Sequence, residues 1–303
     1  MIPIALAAAV ATCVGVGAEH RWGGARRAAH RTLQAMLYVL LPFVSYVSIA
    51  HLHLTLSSGV GLGLGWILMG LVAALAWALG RSLLHLPNRQ LGAVICSVVI
   101  VNTGYLGDPI IGALLGPKAL RYGVAWDQLV SGPSLFLLGF GVGATYGDAA
   151  AVRWTDRARM FLTRNPPLWG VVAGLLASPR LAPAPLPVLS HLVVDALLVL
   201  GFFAAGVYLS SERRHDRAPL IERPDGPVLL VLGVRLLAAP LILLGLSAVA
   251  VSVPSAYLVQ SAMPTGLNSL VVGHAYGLDQ RLIALAILWS SVIVIAVALV
   301  LGA

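Results

Sequence analysis

The sequence predicts an all-α membrane protein with about ten transmembrane helices in two inverted five-helix repeats. Three observations support this fold class. Of the 303 residues, 59% are hydrophobic and only 10% are charged, whereas soluble domains carry about 25% charged residues. Long apolar runs, each near the length of a membrane span, fill most of the chain. The basic residues collect in alternate loops between those runs. This composition excludes an ordinary soluble enzyme.

The apolar runs define the predicted spans, since a helix needs about 20 mostly apolar residues to cross a bilayer. Span 6 is short and flanked by prolines. The ten runs, numbered as spans 1 to 10, are residues 2–18, 32–50, 59–80, 91–115, 122–146, 167–177, 188–209, 227–250, 255–276 and 282–302. The first run lacks the basic lead-in of a signal peptide, so it is expected to be retained as a span.

The loop charges predict the orientation, because cytoplasmic loops are rich in arginine and lysine. Fifteen arginines lie in the loops that follow spans 1, 3, 5, 7 and 9. The opposite loops hold only Lys118, Arg121 and Arg180. Both termini are therefore predicted outside the inner (cytoplasmic) membrane. The net charge of +8 is explained by this topology, and nucleic acid is not an expected partner.

An even division of the spans predicts two repeats. Residues 1–147 would form the first repeat, residues 148–164 a cytoplasmic link, and residues 165–303 the second repeat within one membrane domain. Five spans in each half force the halves into opposite orientations, as in inverted-repeat transporters.

Spans 4 and 9, the fourth of each half, are both interrupted. Span 4 contains Asn-Thr-Gly-Tyr-Leu-Gly-Asp-Pro at residues 102–109, and span 9 contains Met-Pro-Thr-Gly-Leu-Asn at residues 263–268. Proline removes a backbone donor, and glycine adopts the unusual backbone angles that follow. Matched interruptions in the two halves indicate a binding site near the middle of the membrane. A lone proline kink packed against its neighbours would explain one interruption, but not two at equivalent positions.

These segments resemble motifs of the auxin efflux carrier family. Residues 102–109 are similar to its Asn-Thr-Gly-Phe-Leu-Gly-x-Pro stretch, and residues 263–268 are similar to its second break. Residues 164–167 resemble the Lys-Asn-Pro that opens its sixth span, and residues 276–279 resemble its link into the last span. The chain lacks the long central loop of the plant proteins, so it resembles a short bacterial member.

The resemblance implies a scaffold of spans 1, 2, 6 and 7 and a transport unit of the other spans, in which spans 4 and 9 cross at Pro109 and Pro264. It implies a secondary transporter for a small organic anion, such as auxin or a mono- or dicarboxylate. Asn102 and Asn268 would line the substrate site. The full set of expected substrate-binding residues is Asn102, Thr103, Gly104, Gly107, Asp108, Pro109, Pro264, Thr265, Gly266, Asn268 and Arg235.

Asp108 departs from the family pattern, which has an apolar residue there. An Asp-Pro pair is a strong helix-start signal, so Asp108 is read either as a cap of the second half-helix or as a cap that also couples to protons. Arg235, in the middle of span 8, could bind a substrate carboxylate or neutralise Asp108. Asp127 and Asp195, nearer the outer ends of their spans, are read as solvated or capping residues.

Other chemistry is not supported by the sequence. Cys13 and Cys96 lie in spans without a partner motif, so no disulfide framework or metal site is expected. His274 is read as an interfacial histidine. No catalytic residues and no cofactor are predicted.

The expected function is thus transport of a small organic anion by alternating access of crossing helices, as an exporter or exchanger. Coupling to protons or sodium and assembly as a homodimer are left open. A non-transporting membrane receptor that uses the same pocket is the first alternative. A membrane-embedded enzyme is the second, and only Asp108 with Arg235 could be proposed for its catalysis.

The topology gives a direct test. Reporter fusions made after Arg27 and after Arg214 should both report a cytoplasmic position, because their loops belong to the set that carries most of the positive charge. A periplasmic signal from either fusion would disprove the predicted orientation.

Overall fold

The computed structural model describes residues 2–51, 55–147, 155, 166–177, 181–183, 185–216 and 223–301, with most of their side chains. These residues are almost entirely helical, and helices occupy each of the predicted spans. Most of the predicted link, residues 148–164, lies outside the described residues, as do the side chains of Asp195 and His274.

The first half of the chain contains helices α1 to α9. Short π-helical stretches, Met36–Leu40, Thr103–Gly107, Asp127–Ser131 and Leu135–Gly139, join some of them. The helices are α1 Ile2–Arg21, α2 Ala25–Ala35, α3 Leu41–Ala50, α4 Leu56–Ser82, α5 Asn88–Val99, α6 Asp108–Leu115, α7 Pro117–Trp126, α8 Gly132–Ser134 and α9 Phe140–Tyr146.

The second half contains helices α10 to α16, with a further π-helical stretch, Gly233–Ala238, between α12 and α13. The helices are α10 Pro166–Leu176, α11 Leu186–Asp216, α12 Gly226–Leu232, α13 Ala239–Val249, α14 Ser255–Ser261, α15 Asn268–Tyr276 and α16 Gln280–Leu301. In the described part of the chain, four helical segments are long and apolar enough to cross a membrane: Leu56–Ser82, Pro117–Tyr146, Gly226–Val249 and Gln280–Leu301.

The helices pack as two groups. Helices α1, α2, α3, α10 and α11, which correspond to spans 1, 2, 6 and 7, contact one another extensively. The largest hydrophobic core lies among the other helices, with Leu68, Val94, Trp126, Val231 and Ile283 all buried in it. This division agrees with the scaffold and transport unit that the family resemblance implies.

Close packing of α1 against α11 depends on glycine. A Cβ atom on Gly15 would lie 2.2 Å from the carbonyl oxygen of Phe203, and one on Gly206 would lie 2.2 Å from the carbonyl oxygen of Thr12. Small residues at helix interfaces let backbones approach closely in membranes, where the hydrophobic effect does not drive helix association.

The two interrupted spans meet at their breaks. Val101 and Thr265 form an antiparallel bridge. The Asn102 amide donates to the Pro264 carbonyl at 2.8 Å, and the Gly266 amide donates to the Ile100 carbonyl at 2.8 Å. Each break thus supplies partners for backbone groups that would otherwise be unsatisfied in the membrane.

The position of the crossing corrects one expectation. Pro264 lies in the crossing, but Pro109 does not, because the break in span 4 falls between Val99 and Thr103. From Thr103 the chain is already helical and continues through Pro109 without a second interruption. The π-helical stretch Thr103–Gly107 lies directly before Asp108 and Pro109, and such stretches occur where the regular hydrogen-bond ladder of a helix is interrupted.

Gly15 offers a test of the α1–α11 interface. Gly15→Ala should lower the stability of the protein by about 1–3 kcal/mol, because the added methyl group overlaps a backbone carbonyl that cannot move far. Thermal unfolding in detergent measures the change. Gly17→Ala is the matched control: no atom lies within 4 Å of its Cβ position, so it should be neutral or slightly stabilising. Equal effects of the two substitutions would contradict the packing described here.

Candidate functional site

A cavity of about 360 Å³ lies between the two helix groups, beside the crossing. Ala9, Thr12 and Cys13 of α1 line it from one side, with Gly201 and Phe202 of α11. The other side is formed by Asn102, Tyr105 and Leu267 next to the breaks and by residues of α16. The cavity therefore touches both the group that resembles a scaffold and the group that contains the crossing.

The cavity wall is apolar with a few polar side chains. Thr12, Asn102, Tyr105 and Ser291 are polar, and no charged side chain lines it among the described residues. Asn102 is 9% exposed, and its side-chain oxygen is buried without a hydrogen-bond partner in the described structure. This oxygen can accept a hydrogen bond from an N–H or O–H group of a ligand, and a buried acceptor without a partner is otherwise unfavourable.

The site residues predicted in span 9 do not line the cavity. Thr265 is fully buried and binds within the protein: its hydroxyl donates to the Ser97 carbonyl at 2.8 Å, and its amide donates to Ser290 Oγ at 3.2 Å. A Cβ atom on Gly266 would lie 3.0 Å from the Val101 carbonyl group. Asn268 begins α15, is exposed, and lies outside the cavity lining. Its role in substrate binding stays a prediction.

Arg235 is fully buried and binds three backbone carbonyls at the crossing. Nε donates to Met263 O at 3.0 Å, Nη1 donates to Val98 O at 3.2 Å, and Nη2 donates to Ser261 O. Val98 lies at the end of α5, and Ser261 is the last residue of α14. Helix ends leave carbonyls unsatisfied and carry partial negative charge, so the guanidinium stabilises the C-terminal ends of both broken helices.

The predicted ion pair between Asp108 and Arg235 is wrong. The three hydrogen bonds of Arg235 all go to backbone carbonyls, and Asp108 accepts from Gln260. The prediction that Asp108 caps a helix is also wrong. The residue before α6 is Gly107, which is itself helical, and no side chain caps the start of α6. The helix begins earlier than the Asp-Pro signal indicates, so Asp108 has no free helix end to cap.

Asp108 belongs instead to a polar cluster, which we define as Thr103, Asp108, Asp127, Gln128 and Gln260. Gln260 Nε2 donates to Asp108 Oδ1 at 2.9 Å, and it also lies 3.4 Å from Thr103 O and 3.2 Å from Gly123 O. Asp127 accepts from the Thr103 hydroxyl and from Gln128 Nε2, the latter at 2.6 Å. Asp127 is therefore a half-buried hydrogen-bond acceptor within the protein, in a π-helical stretch and not at a helix end.

The glycines of the span 4 motif make room for this cluster. A Cβ atom on Gly107 would lie 2.2 Å from Gln260 Oε1, and one on Gly104 would lie 3.2 Å from Asp127 Oδ2. Sequence reasoning did not select Gln260. Its polar side chain in an apolar run, four residues before Pro264, was the available signal.

The comparisons with known proteins concern the second half of the chain. Residues 159–301 match the family described as "Membrane transport protein". This match, over less than half of the chain, supports the resemblance to the auxin efflux carrier family. No curated protein has a significant match to the chain.

The role of Arg235 can be tested by a double-mutant cycle. Arg235→Gln should destabilise the protein by at least about 3 kcal/mol, because charged hydrogen bonds to buried carbonyls are lost. Since Asp108 does not contact Arg235, adding Asp108→Asn should not restore stability, and the two effects should add within about 0.5 kcal/mol. Unfolding in detergent measures all four proteins. A clear rescue in the double variant would show an interaction that the structure does not contain.

Proposed function

We propose that the whole chain is a secondary transporter that moves a small organic anion by alternating access. The match of residues 159–301 to the membrane transport protein family supports the general class of transporter. Proteins of this family are transporters and not enzymes. In this proposal the two halves of the chain are inverted repeats in the cytoplasmic membrane, with both termini outside. The antiparallel bridge between Val101 and Thr265 supports this, because it shows that the two interrupted segments run in opposite directions at the crossing.

The observation that carries the proposal is the position of the cavity. It lies between the two helix groups, and the crossing forms part of its wall. If one group moves past the other, a ligand in this cavity becomes accessible from a different side, as alternating access requires. A pocket enclosed within one rigid group would not have this property.

Helix ends near the cavity favour an anion. The helix that starts at Thr103 and the helix α15 that starts at Asn268 leave their first backbone N–H groups without intrahelical partners and carry partial positive charge. Arg235 binds the C-terminal ends of the other two half-helices, so their partial negative charge is offset. These two helix starts therefore attract a carboxylate.

The lining favours an amphipathic monocarboxylate over a dicarboxylate. The polar side chains of Asn102, Tyr105 and Thr12 can bind a single carboxylate, while Phe202, Leu288 and Ile295 are among the apolar residues that surround the remaining volume. A second carboxylate would be desolvated against apolar surface with no charged partner in the described lining, which is costly. A monocarboxylate with an aromatic or aliphatic body fits both parts of the wall.

Cys13 provides a test of the cavity, because it is exposed and lines the cavity while Cys96 is buried. N-ethylmaleimide should therefore label the protein at Cys13. Indole-3-acetate at saturating concentration should slow the labelling by about fivefold or more, since pocket ligands cover most of the surface they contact. Malonate should protect poorly. The rate of labelling is followed by mass spectrometry of the purified protein.

Three variants complete this experiment. Cys13→Ala should abolish the labelling and so identify the site. Asn102→Ala should weaken protection by about tenfold, the loss of one hydrogen bond to a charged group. Asn268→Ala, a matched change outside the lining, should have a smaller effect. If no monocarboxylate in a panel protects Cys13 and none exchanges across proteoliposomes, the proposed function is wrong.

A further inference from the structure

The polar cluster contains two carboxylates deep in the protein. Asp108 is 3% exposed, and Asp127 is partly buried. Thr103 connects them, since its hydroxyl donates to Asp127 and its carbonyl accepts from Gln260, the residue that also donates to Asp108. Two ionised carboxylates in one such cluster would repel each other, and a charge on Asp108 would be poorly solvated.

The hydrogen bonds distinguish the two acids. Both oxygens of Asp127 accept a hydrogen bond, Oδ1 from Thr103 and Oδ2 from Gln128, and this pattern suits an ionised carboxylate. For Asp108, only Oδ1 accepts a hydrogen bond, from Gln260, among the described residues. Asp108 therefore has an oxygen free to carry a proton.

Gln260 supplies a second and independent observation. Its side chain is fully buried, and its Oε1 has no hydrogen-bond donor in the described structure. An unpaired acceptor at this depth is unfavourable. A carboxylic acid beside the amide would bring the missing donor, whereas a carboxylate brings only further acceptors.

No described cation faces Asp108. On α7, Arg121 donates to the His51 carbonyl and Lys118 is exposed. Tyr257 of α14 donates to the Ser58 carbonyl, and its ring contacts Tyr122 of α7. Tyr105, in the π-helical stretch before α6, lines the cavity. The side chains of His191 and Asp195 on α11 lie outside the described residues.

We propose that Asp108, held by Gln260 and set against Asp127, is the proton-binding site of this protein and that its proton is carried together with the anion. This inference rests on the proposed transport function. Residues 102–105 link the two sites: Asn102 and Tyr105 line the cavity, and Thr103 between them binds Asp127. A negative charge on Asp108 opposes an anion in the cavity, so protonation of Asp108 strengthens anion binding, and by reciprocity the anion strengthens proton binding.

The geometry favours a proton over a sodium ion. Three oxygens, Asp108 Oδ1, Thr103 O and Gly123 O, converge on one point, but Gln260 Nε2 occupies that point as a donor. A metal cation there would meet N–H groups instead of a further oxygen.

The proton comes from water on one side of the membrane, binds to the free oxygen of Asp108, and returns to water on the other side.

Isothermal titration of the purified protein with indole-3-acetate, in pairs of buffers with different ionisation enthalpies, counts the protons taken up with the anion. Between about pH 6 and about pH 9, the count should rise from near zero to about one, and over the same range the Kd should weaken by up to about tenfold per pH unit. No proton uptake at any pH, together with a Kd that does not change with pH, would overturn the proton site while leaving anion binding and transport intact.

Asp108→Asn mimics the protonated state. It should take up no protons at any pH and should bind indole-3-acetate at high pH as tightly as the wild-type protein does at low pH. Asp279→Asn is the matched control: Asp279 accepts from Leu282 N and Gln90 at the start of α16, away from the cavity, and it should retain the wild-type proton count. If Asp108→Asn does not fold, the wild-type titration decides the question by itself.

Two further outcomes separate this inference from the proposed function. A Kd that responds to sodium but not to pH would replace the proton by a sodium ion and disprove the proposal. Failure of indole-3-acetate and of all other carboxylates in the panel to bind or exchange would instead disprove the proposed function on which the inference rests.

Discussion

The membrane interior does not tolerate unpaired backbone groups, and two interrupted spans must meet this constraint at one place. The breaks satisfy it by pairing with each other: Asn102 N binds Pro264 O, and Gly266 N binds Ile100 O. Arg235 completes the arrangement by binding Val98 O, Ser261 O and Met263 O. Neither broken helix would be stable in a bilayer without the other, since each unpaired group costs several kcal/mol there.

The crossing also determines where the chemistry lies. It exposes the Asn102 side chain to the cavity, and it starts a new helix at Thr103 whose N–H groups favour an anion. The same stretch brings Thr103 and Asp108 against Asp127 and Gln260. The backbone interruption in span 4 therefore contributes residues both to the apolar cavity and to the polar cluster. Coupling between the two needs no long pathway, because Asn102 and Thr103 are adjacent residues.

The errors of the sequence-based predictions have a common cause. Asp108 and Arg235 were paired because each is an ionisable residue in the same group of spans and an isolated charge in a membrane is costly. The structure stabilises each by another means: helix-end carbonyls for Arg235 and a glutamine amide for Asp108. The carbonyl groups at the helix ends surround Arg235 only when two distant segments, residues 98–102 and 261–266, are brought together. No local sequence pattern specifies that geometry. The same holds for Gln260, which looks like an isolated polar residue in the sequence.

The sequence by itself determined the membrane class, the helical segments and the two interruptions, because these depend on composition, on long apolar runs and on proline and glycine, which act locally. The match over residues 159–301 agrees with the family that these motifs indicate. Only the tertiary structure decided what each polar side chain does. The division into two packed helix groups, the cavity between them, and the partners of Arg235, Asp108 and Asp127 all arise from contacts between residues far apart in the chain. Those contacts depend on how the helices pack, and helix packing depends on the shapes of whole surfaces, such as the glycine contact of α1 with α11.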